Sequence, residues 1–184
     1  QEVDMMSRFG RALYLKAEDF EAVSLPYGKG RVAMDIFLPN RGSSLKAFLA
    51  KNDSKAIASN LQRMILTELD RIAIPRLKLS ASMELSRFMK GIGVTTAFNK
   101  DADFSGIFGT PSIYIAEILH KTAIDVNEEG TEAAAATDVV MDVKSAPKQQ
   151  PEFVADRPFY YQIRDTETGL VLFCGVFAEP IGNA

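Results

Sequence analysis

Apolar residues between Ala12 and Leu38 fall into three short groups that read as strands. Ala12 to Lys16 places Leu13 and Leu15 on one face, because side chains alternate along a strand. Phe20 to Tyr27 runs through Pro26 into Gly28-Lys29-Gly30, and Val32 to Leu38 follows with the run Met34-Asp35-Ile36-Phe37-Leu38. A glycine-rich turn between two such runs predicts a tight antiparallel pair. Further on, the pattern turns helical. Ser43 or Ser44 caps a short helix through Leu49, and Asp53 or Ser54 caps a second through Met64, with Ile57, Leu61, Met64 and Ile65 at helical spacing. Ile72 to Ser82 alternates again around Pro75, which marks an edge or a break between two strands. Leu85 to Lys90 reads as a helix ended by Gly91. Gly93 to Phe98 leads into a polar loop, Asn99 to Phe104.

The longest strand candidate is Ser112 to Val126, whose apolar part, Ile113 to His120, suits burial on both faces. Phe153-Val154, then Phe159 to Arg164 and Leu170 to Phe177, close the chain, the last two as a hairpin across Asp165 to Gly169. There is no internal repeat. The one linker-like segment is about residues 138 to 152.

Residues 128 to 144 carry the most unusual pattern. In Glu128-Glu129-Gly130-Thr131-Glu132-Ala133-Ala134-Ala135-Ala136-Thr137, a glycine sits between acidic residues and four alanines follow. From 131 to 143 the odd positions are Thr, Ala, Ala, Thr, Val, Met and Val, while every charge from 132 to 144 falls on an even position. A strand here would have a small, uncharged face and a charged one. Its alanine-rich start has low β-propensity, so the strand is conditional. Taken alone, the stretch fits equally well as an exposed Ala/Glu linker or a short surface helix.

At 184 residues, with 47% hydrophobic and 24% charged residues, the chain can bury one sizeable core. The net charge of −3 contains no block of one sign, which gives no sign of a nucleic-acid partner. The single cysteine, Cys174, excludes an internal disulfide and lies in the apolar run Leu170 to Phe177, where a buried core thiol is expected. That run is too short to cross a bilayer, so no membrane partner is expected. Asn52-Asp53-Ser54 is a formal glycosylation triplet of a kind frequent by chance. The single histidine, His120, reads as a satisfied core residue. It cannot supply a zinc site of the common kinds, and a Ser-His-Asp triad would have to use it. No Gly-x-Ser-x-Gly elbow, Walker loop or dinucleotide fingerprint occurs. No cofactor is implied, and an enzyme is the disfavoured class.

Several of these segments together resemble the serpin family. Glu128 to Thr137 resembles the hinge of the reactive-centre loop of inhibitory serpins, and Ile118 to Ala123 with Val126 to Gly130 resembles the fifth strand of sheet A leading into it. Asp103-Phe104-Ser105-Gly106-Ile107 is similar to a common serpin motif, after Leu85-x3-Met89-x-Gly91-Ile92-x-Val94. Val23-x-Leu25-Pro26-Tyr27 and Met34-x-Ile36-x-Leu38-Pro39 resemble sheet B strands. Asp156-Arg157-Pro158-Phe159, with Ile163-Arg164 and Leu172-Phe173-x-Gly175, resembles the C-terminal signature. The resemblance implies an α+β fold of mixed and antiparallel sheets with short helices and an exposed reactive-centre loop at about 128–152. It covers about the C-terminal half of the family's fold, so residues 1–184 are expected to be the C-terminal portion of a single serpin domain. The N-terminal half of the same protein is then a partner.

The resemblance also implies a mechanism: a suicide-substrate inhibitor whose cleaved loop inserts into the main sheet and traps the acyl-enzyme. Thr131, Ala133, Ala135 and Thr137 are the positions that would turn inward, with Glu132 and Asp138 outside and Gly130 at the pivot. Ala134 and Ala136 complete the hinge. Counting fourteen positions from Gly130 in the family pattern gives the reactive bond Lys144–Ser145. A lysine there implies serine proteases preferring Lys or Arg, held as a covalent acyl complex. The alternative for Lys144 is a solvated loop charge. Arg76 is expected to pair with Glu128, and His120 resembles the family's buried gate histidine. Kinship suggests an extracellular or cell-surface setting. The rival functions are a non-inhibitory serpin acting as a carrier or chaperone, and an interaction module using its sheets as a docking surface.

Overall fold

The computed structural model describes residues 4–109, 113–127 and 149–178. In chain order the elements are β1 (Met5–Lys16), β2 (Phe20–Tyr27), β3 (Val32–Pro39), α1 (Leu45–Lys51), α2 (Ser54–Gln62), β4 (Ile65–Pro75) and β5 (Leu77–Glu84). Then follow α3 (Ser86–Gly91), a 3-10 turn (Thr96–Phe98), α4 (Ser105–Phe108), β6 (Leu119–Val126), β7 (Glu152–Val154), β8 (Phe159–Asp165) and β9 (Val171–Phe177). The class is α+β, with short helices and a mixed sheet. One sheet has seven strands in the order β7-β4-β1-β2-β3-β8-β9; a second pairs β5 with β6. Among the described residues, β4 with β7 is the one parallel pair of the large sheet. Cα packing separates two units: residues 1–76 with 126–184, and Leu77–Asp125.

One face of the large sheet is covered by helices. Ser44 and Asp53 are the N-caps, accepting from the N–H of Ala47 and Ala56 at 3.1 and 2.8 Å. Each such cap is worth about 1 kcal/mol. The caps aim Phe48 and Ile57 at Phe20, Ala22, Phe37 and Met64, and the Phe20 and Phe48 rings meet edge to face at 5.3 Å. Helix α2 stops at Gln62, two residues short of the expected Met64. The N–H groups of Arg63 and Met64 close it by bonding to Asn60 and Leu61. Ile65, expected on the helix, opens β4 and is exposed. Met64 extends the buried pattern beyond the helix because it reaches the same core.

On this face the apolar layer gives way to a polar cross-brace. Ser24, Asp35 and Gln162 lie in register across β2, β3 and β8. Asp35 is fully buried and accepts from Ser24 Oγ at 2.6 Å, Gln162 Nε2 at 2.9 Å and Arg164 Nε at 2.7 Å. A charge so placed is tolerable only when paired and hydrogen-bonded.

Strand β1 reaches back to Met5, well before the expected Ala12, through a segment whose Arg8, Gly10 and Arg11 mask the strand signal. Opposite it, β4 carries an extra residue. Two steps lead from Arg8 to Gly10, while three lead from Leu69 to Ile72. This bulge puts Asp70 and Arg71 outward in succession, so Leu69 and Ile72 are both buried although three apart. As the sequence suggests, Pro75 falls at the break between β4 and β5.

Two further expectations fail. Residues 113–118 form no strand: Ile115 N–H bonds to Ala97 O, Ile118 N–H to Ser86 Oγ, and Ile118 O accepts from Leu85 N–H. These bonds commit the backbone to neighbouring turns. Cys174 is exposed rather than buried, because β9 is the terminal strand of the sheet order and its residues from Val171 to Cys174 are all exposed. Helix α3 ends at Gly91 as expected, and Gly93 follows at φ +99°. The glycosylation triplet is structurally engaged: Asn52 Nδ2 donates to Phe48 O at 3.0 Å, and its Oδ1 accepts from Asn60.

Gly175 on β9 lies opposite Tyr161 on β8. A Cβ at 175 would stand 2.7 Å from Tyr161 Oη and 2.9 Å from Cζ. Tyr161 is 3% exposed and has no room to withdraw. Gly175→Ala should therefore lower the unfolding free energy by about 1–3 kcal/mol. Urea titration measures this, and an unchanged midpoint would show that the ring yields.

Candidate functional site

The hinge and reactive-bond residues (Glu128, Gly130 to Thr137, Lys144 and Ser145) lie outside the described residues. The structure does describe the two ends between which they run. On the N-terminal side, β6 ends at Val126, which is buried, and Asn127 follows. Strand β6 has one hydrogen-bonded strand neighbour among the described residues, β5.

On the C-terminal side the chain is held by β4. The bulge turns Asp70 outward, and its carboxylate accepts from the N–H of Gln150 at 3.0 Å. The backbone N–H of the same residue donates to Pro151 O at 3.1 Å. Strand β7 then pairs in parallel, Arg71 with Glu152 and Ala73 with Val154, and Ala155 N–H continues the ladder to Ala73 O at 2.8 Å. Phe153 is fully buried. Three paired residues form a weak strand alone; the buried ring and the two Asp70 bonds reinforce it.

Beyond β7 the Asp156-Arg157-Pro158 turn is fastened to the end of β3. Arg157 Nε donates to Pro39 O at 2.6 Å, and its Nη1 donates to Asp156 Oδ1 at 2.9 Å. Arg41 Nη2 donates to the other oxygen of Asp156. Partial burial alone would raise the Asp156 pKa. The hydrogen bonds and charges of Arg157 and Arg41 outweigh it and hold the carboxyl below its ordinary value.

Two structural residues from the sequence reading are described. Arg76 is the single exposed residue between β4 and β5, with its N–H on Asp4 O at 3.0 Å; Glu128 lies outside the described residues. His120 is in β6 as expected but is exposed, against the expectation of a buried residue. Strand β6 has β5 as its one strand neighbour among the described residues, which leaves His120 uncovered. Sequence reading missed Asp70. Its surroundings space Ile65, Leu69 and Ile72 four and three apart, which is helical rather than strand spacing, because the bulge breaks the alternation. The role of Arg157 was partly signalled by its motif.

The sequence profile of the family described as Serpin (serine protease inhibitor) matches residues 1–180. The chain belongs to the serpin family, a family of protease inhibitors rather than enzymes. It is 37% identical over 183 residues to Serpin B11 of Homo sapiens, covering 97% of this chain and 46% of that protein. It is 36% identical over 184 residues to Intracellular coagulation inhibitor 2 of Tachypleus tridentatus, covering 97% and 44%. Among solved structures it is similar to the thermophilic serpin tengpin in the native state, with a TM-score of 0.73 and 28% identity, covering 97% of this chain and 46% of that one. The chain thus spans about half the length of the curated relatives it matches. The expected extracellular setting is not supported, since one of these relatives is named as intracellular. Among the described residues no helix is long and apolar enough to cross a membrane.

Two outcomes are expected. Asp70→Ala should speed hydrogen exchange of the Gln150 amide about tenfold, the equivalent of one charge-assisted hydrogen bond; unchanged exchange would show that β7 alone holds this end. Asp156, with its folded pKa lowered, contributes stability above the unfolded value of about 3.9 and loses it as pH falls through the folded value. Asp156→Asn should therefore flatten the acid limb of the stability curve below about pH 4. An acid-denaturation series on both proteins measures it.

Proposed function

We propose that the protein is a suicide-substrate inhibitor of trypsin-like serine proteases and that this chain is the C-terminal portion of its single serpin domain. Its N-terminal half is then a structural partner. The loop spans about 128–152, and the protease attacks the Lys144–Ser145 bond. A lysine ammonium there suits a specificity pocket with a carboxylate at its base. After acylation, the hinge joins the sheet as an added strand faster than water can release the enzyme.

The observation that carries this reading is the parity of the hinge. Thr131, Ala133, Ala135 and Thr137 are small and uncharged, while Glu132 and Asp138 fall on the opposite face. An unpaired charge on the inward face would cost several kcal/mol and slow insertion. The geometry at the ends is compatible. The hinge follows directly on β6, which has a single strand neighbour among the described residues, and the far end is tied down at Asp70. A tether fixed on one side and continuous with a strand on the other is the arrangement that insertion requires. In the same reading, Glu128 pairs with Arg76 and steadies the strand end beside the hinge.

Incubation of the full protein, N-terminal half included, with trypsin should give an SDS-stable adduct, together with a new N-terminus at Ser145. Thr131→Arg should leave cleavage intact and abolish most of the adduct, converting inhibitor to substrate. An adduct of equal yield in that variant would sink the insertion argument. No adduct in the parent would favour a non-inhibitory role.

A further inference from the structure

One face of β1 and β4, beside the C-terminal anchor of the loop, carries a pattern that the fold does not use. Register puts Phe9, Arg11 and Leu13 of β1 on a common face with Leu66 and Glu68 of β4, since Arg11 lies opposite Glu68 and Leu13 opposite Leu66. The bulge sets Asp70 and Arg71 across from Phe9, between the pairs Gly10–Leu69 and Arg8–Ile72. Phe9 is 81% exposed and Leu66 62%, and Leu13 is exposed as well. Arg11 and Glu68 form a cross-strand ion pair at 3.1 Å with both side chains in water.

Exposed apolar surface of two kinds occurs in this unit. Strand β9 exposes Val171, Leu172, Phe173 and Val176 and contains no charged residue. A continuous apolar run of that kind suits permanent cover by another part of the protein. The face of β1 and β4 is different. Phe9, Leu13 and Leu66 stand among Arg11, Glu68, Asp70 and Arg71, all of them exposed. Permanent cover would take four charged groups out of water, where such residues are almost never found unless paired. An aromatic ring and two leucines inside a charged border match the make-up of a transient protein contact, a few apolar anchors within a polar rim.

Position selects the partner. Asp70, across from Phe9, holds the amide of Gln150, and Gln150 lies six residues beyond Lys144. Six residues span at most about 22 Å. A protease domain of about 200 residues has a radius of gyration of about 16 Å. An enzyme seated on the Lys144–Ser145 bond is therefore large enough to touch Phe9. We propose that Phe9, Leu13 and Leu66, flanked by Arg11 and Glu68, form a second contact surface for the attacking protease, which docks there while its active site takes Lys144. This inference rests on the inhibitor reading above. The surface acts on encounter rather than on insertion, adding affinity before any bond is cut. It lets the inhibitor choose among proteases that share a preference for lysine.

Calorimetric titration of the full protein, N-terminal half included, with trypsin whose catalytic serine is replaced by alanine tests the proposal, because binding then needs neither cleavage nor insertion. Phe9→Thr and Leu66→Thr keep strand propensity while removing the apolar groups. Phe9→Thr should weaken binding about tenfold, and Leu66→Thr should weaken it by a smaller factor. Glu167→Gln, in the turn between β8 and β9 and three strands from β1, should leave it unchanged. Unchanged affinity in both threonine variants, equal weakening by Glu167→Gln, or no binding by the parent would overturn the proposal. A lowered unfolding midpoint with unchanged affinity would overturn it too, showing that the N-terminal half covers this face. Unchanged affinity beside a normal SDS-stable adduct would remove the surface and leave the loop mechanism standing; a tenfold effect without an adduct would do the reverse.

Discussion

The parallel pairing of β7 with β4 is the constraint that fixes the C-terminal end of the proposed loop. It covers only the three residues of β7, yet it holds one end of the segment that carries the proposed reactive bond. Parallel ladders are slightly less stable per residue than antiparallel ones. This one is reinforced from three directions: the buried Phe153 ring beneath it, the two-way bonding of Asp70 before it, and the Asp156–Arg157 turn after it. In the proposed mechanism, a loop attacked by a protease works only as well as its anchorage.

Much of the fold was legible in the sequence. Strands β2 and β3, the β8–β9 hairpin and both helix caps followed from alternation, turn glycines and Ser44 or Asp53. These are local effects, and local pattern carries them. What escaped the pattern had non-local causes. The bulge in β4 spaces Leu69 and Ile72 three apart, so the strand's alternation is lost. The apolar run at 113–118 looked like a doubly buried strand because composition cannot show that its amides bond to Ser86 and Ala97. Exposure of His120 and Cys174 depends on which strands flank β6 and β9, a property of the sheet rather than of the residue.

The candidate site was legible differently. The hinge and Lys144 came from parity, counting and family resemblance, and they lie outside the described residues. The anchoring groups came only from geometry. Asp70 looks like any surface aspartate until the bulge turns it, and Arg41 meets Asp156 across 115 positions of sequence. Asp35 shows the opposite case. A lone acid inside an apolar run predicts a buried partner of some kind, but Ser24, Gln162 and Arg164 become its partners only through strand register.

The extra residue in β4 works as a phase slip. By register, Thr67 and Leu69 share a face with Ala12 and Gly10, and past the slip Ile72 and Ile74 share that face with Arg8 and Met6. Shortening the chain by one residue at that point would rotate everything from Ile72 to Pro75 by half a pleat and carry β7 with it. The length of this edge is therefore under tighter restriction than its composition: homologous chains should tolerate substitution at Arg71 more readily than the loss of a single position beside it.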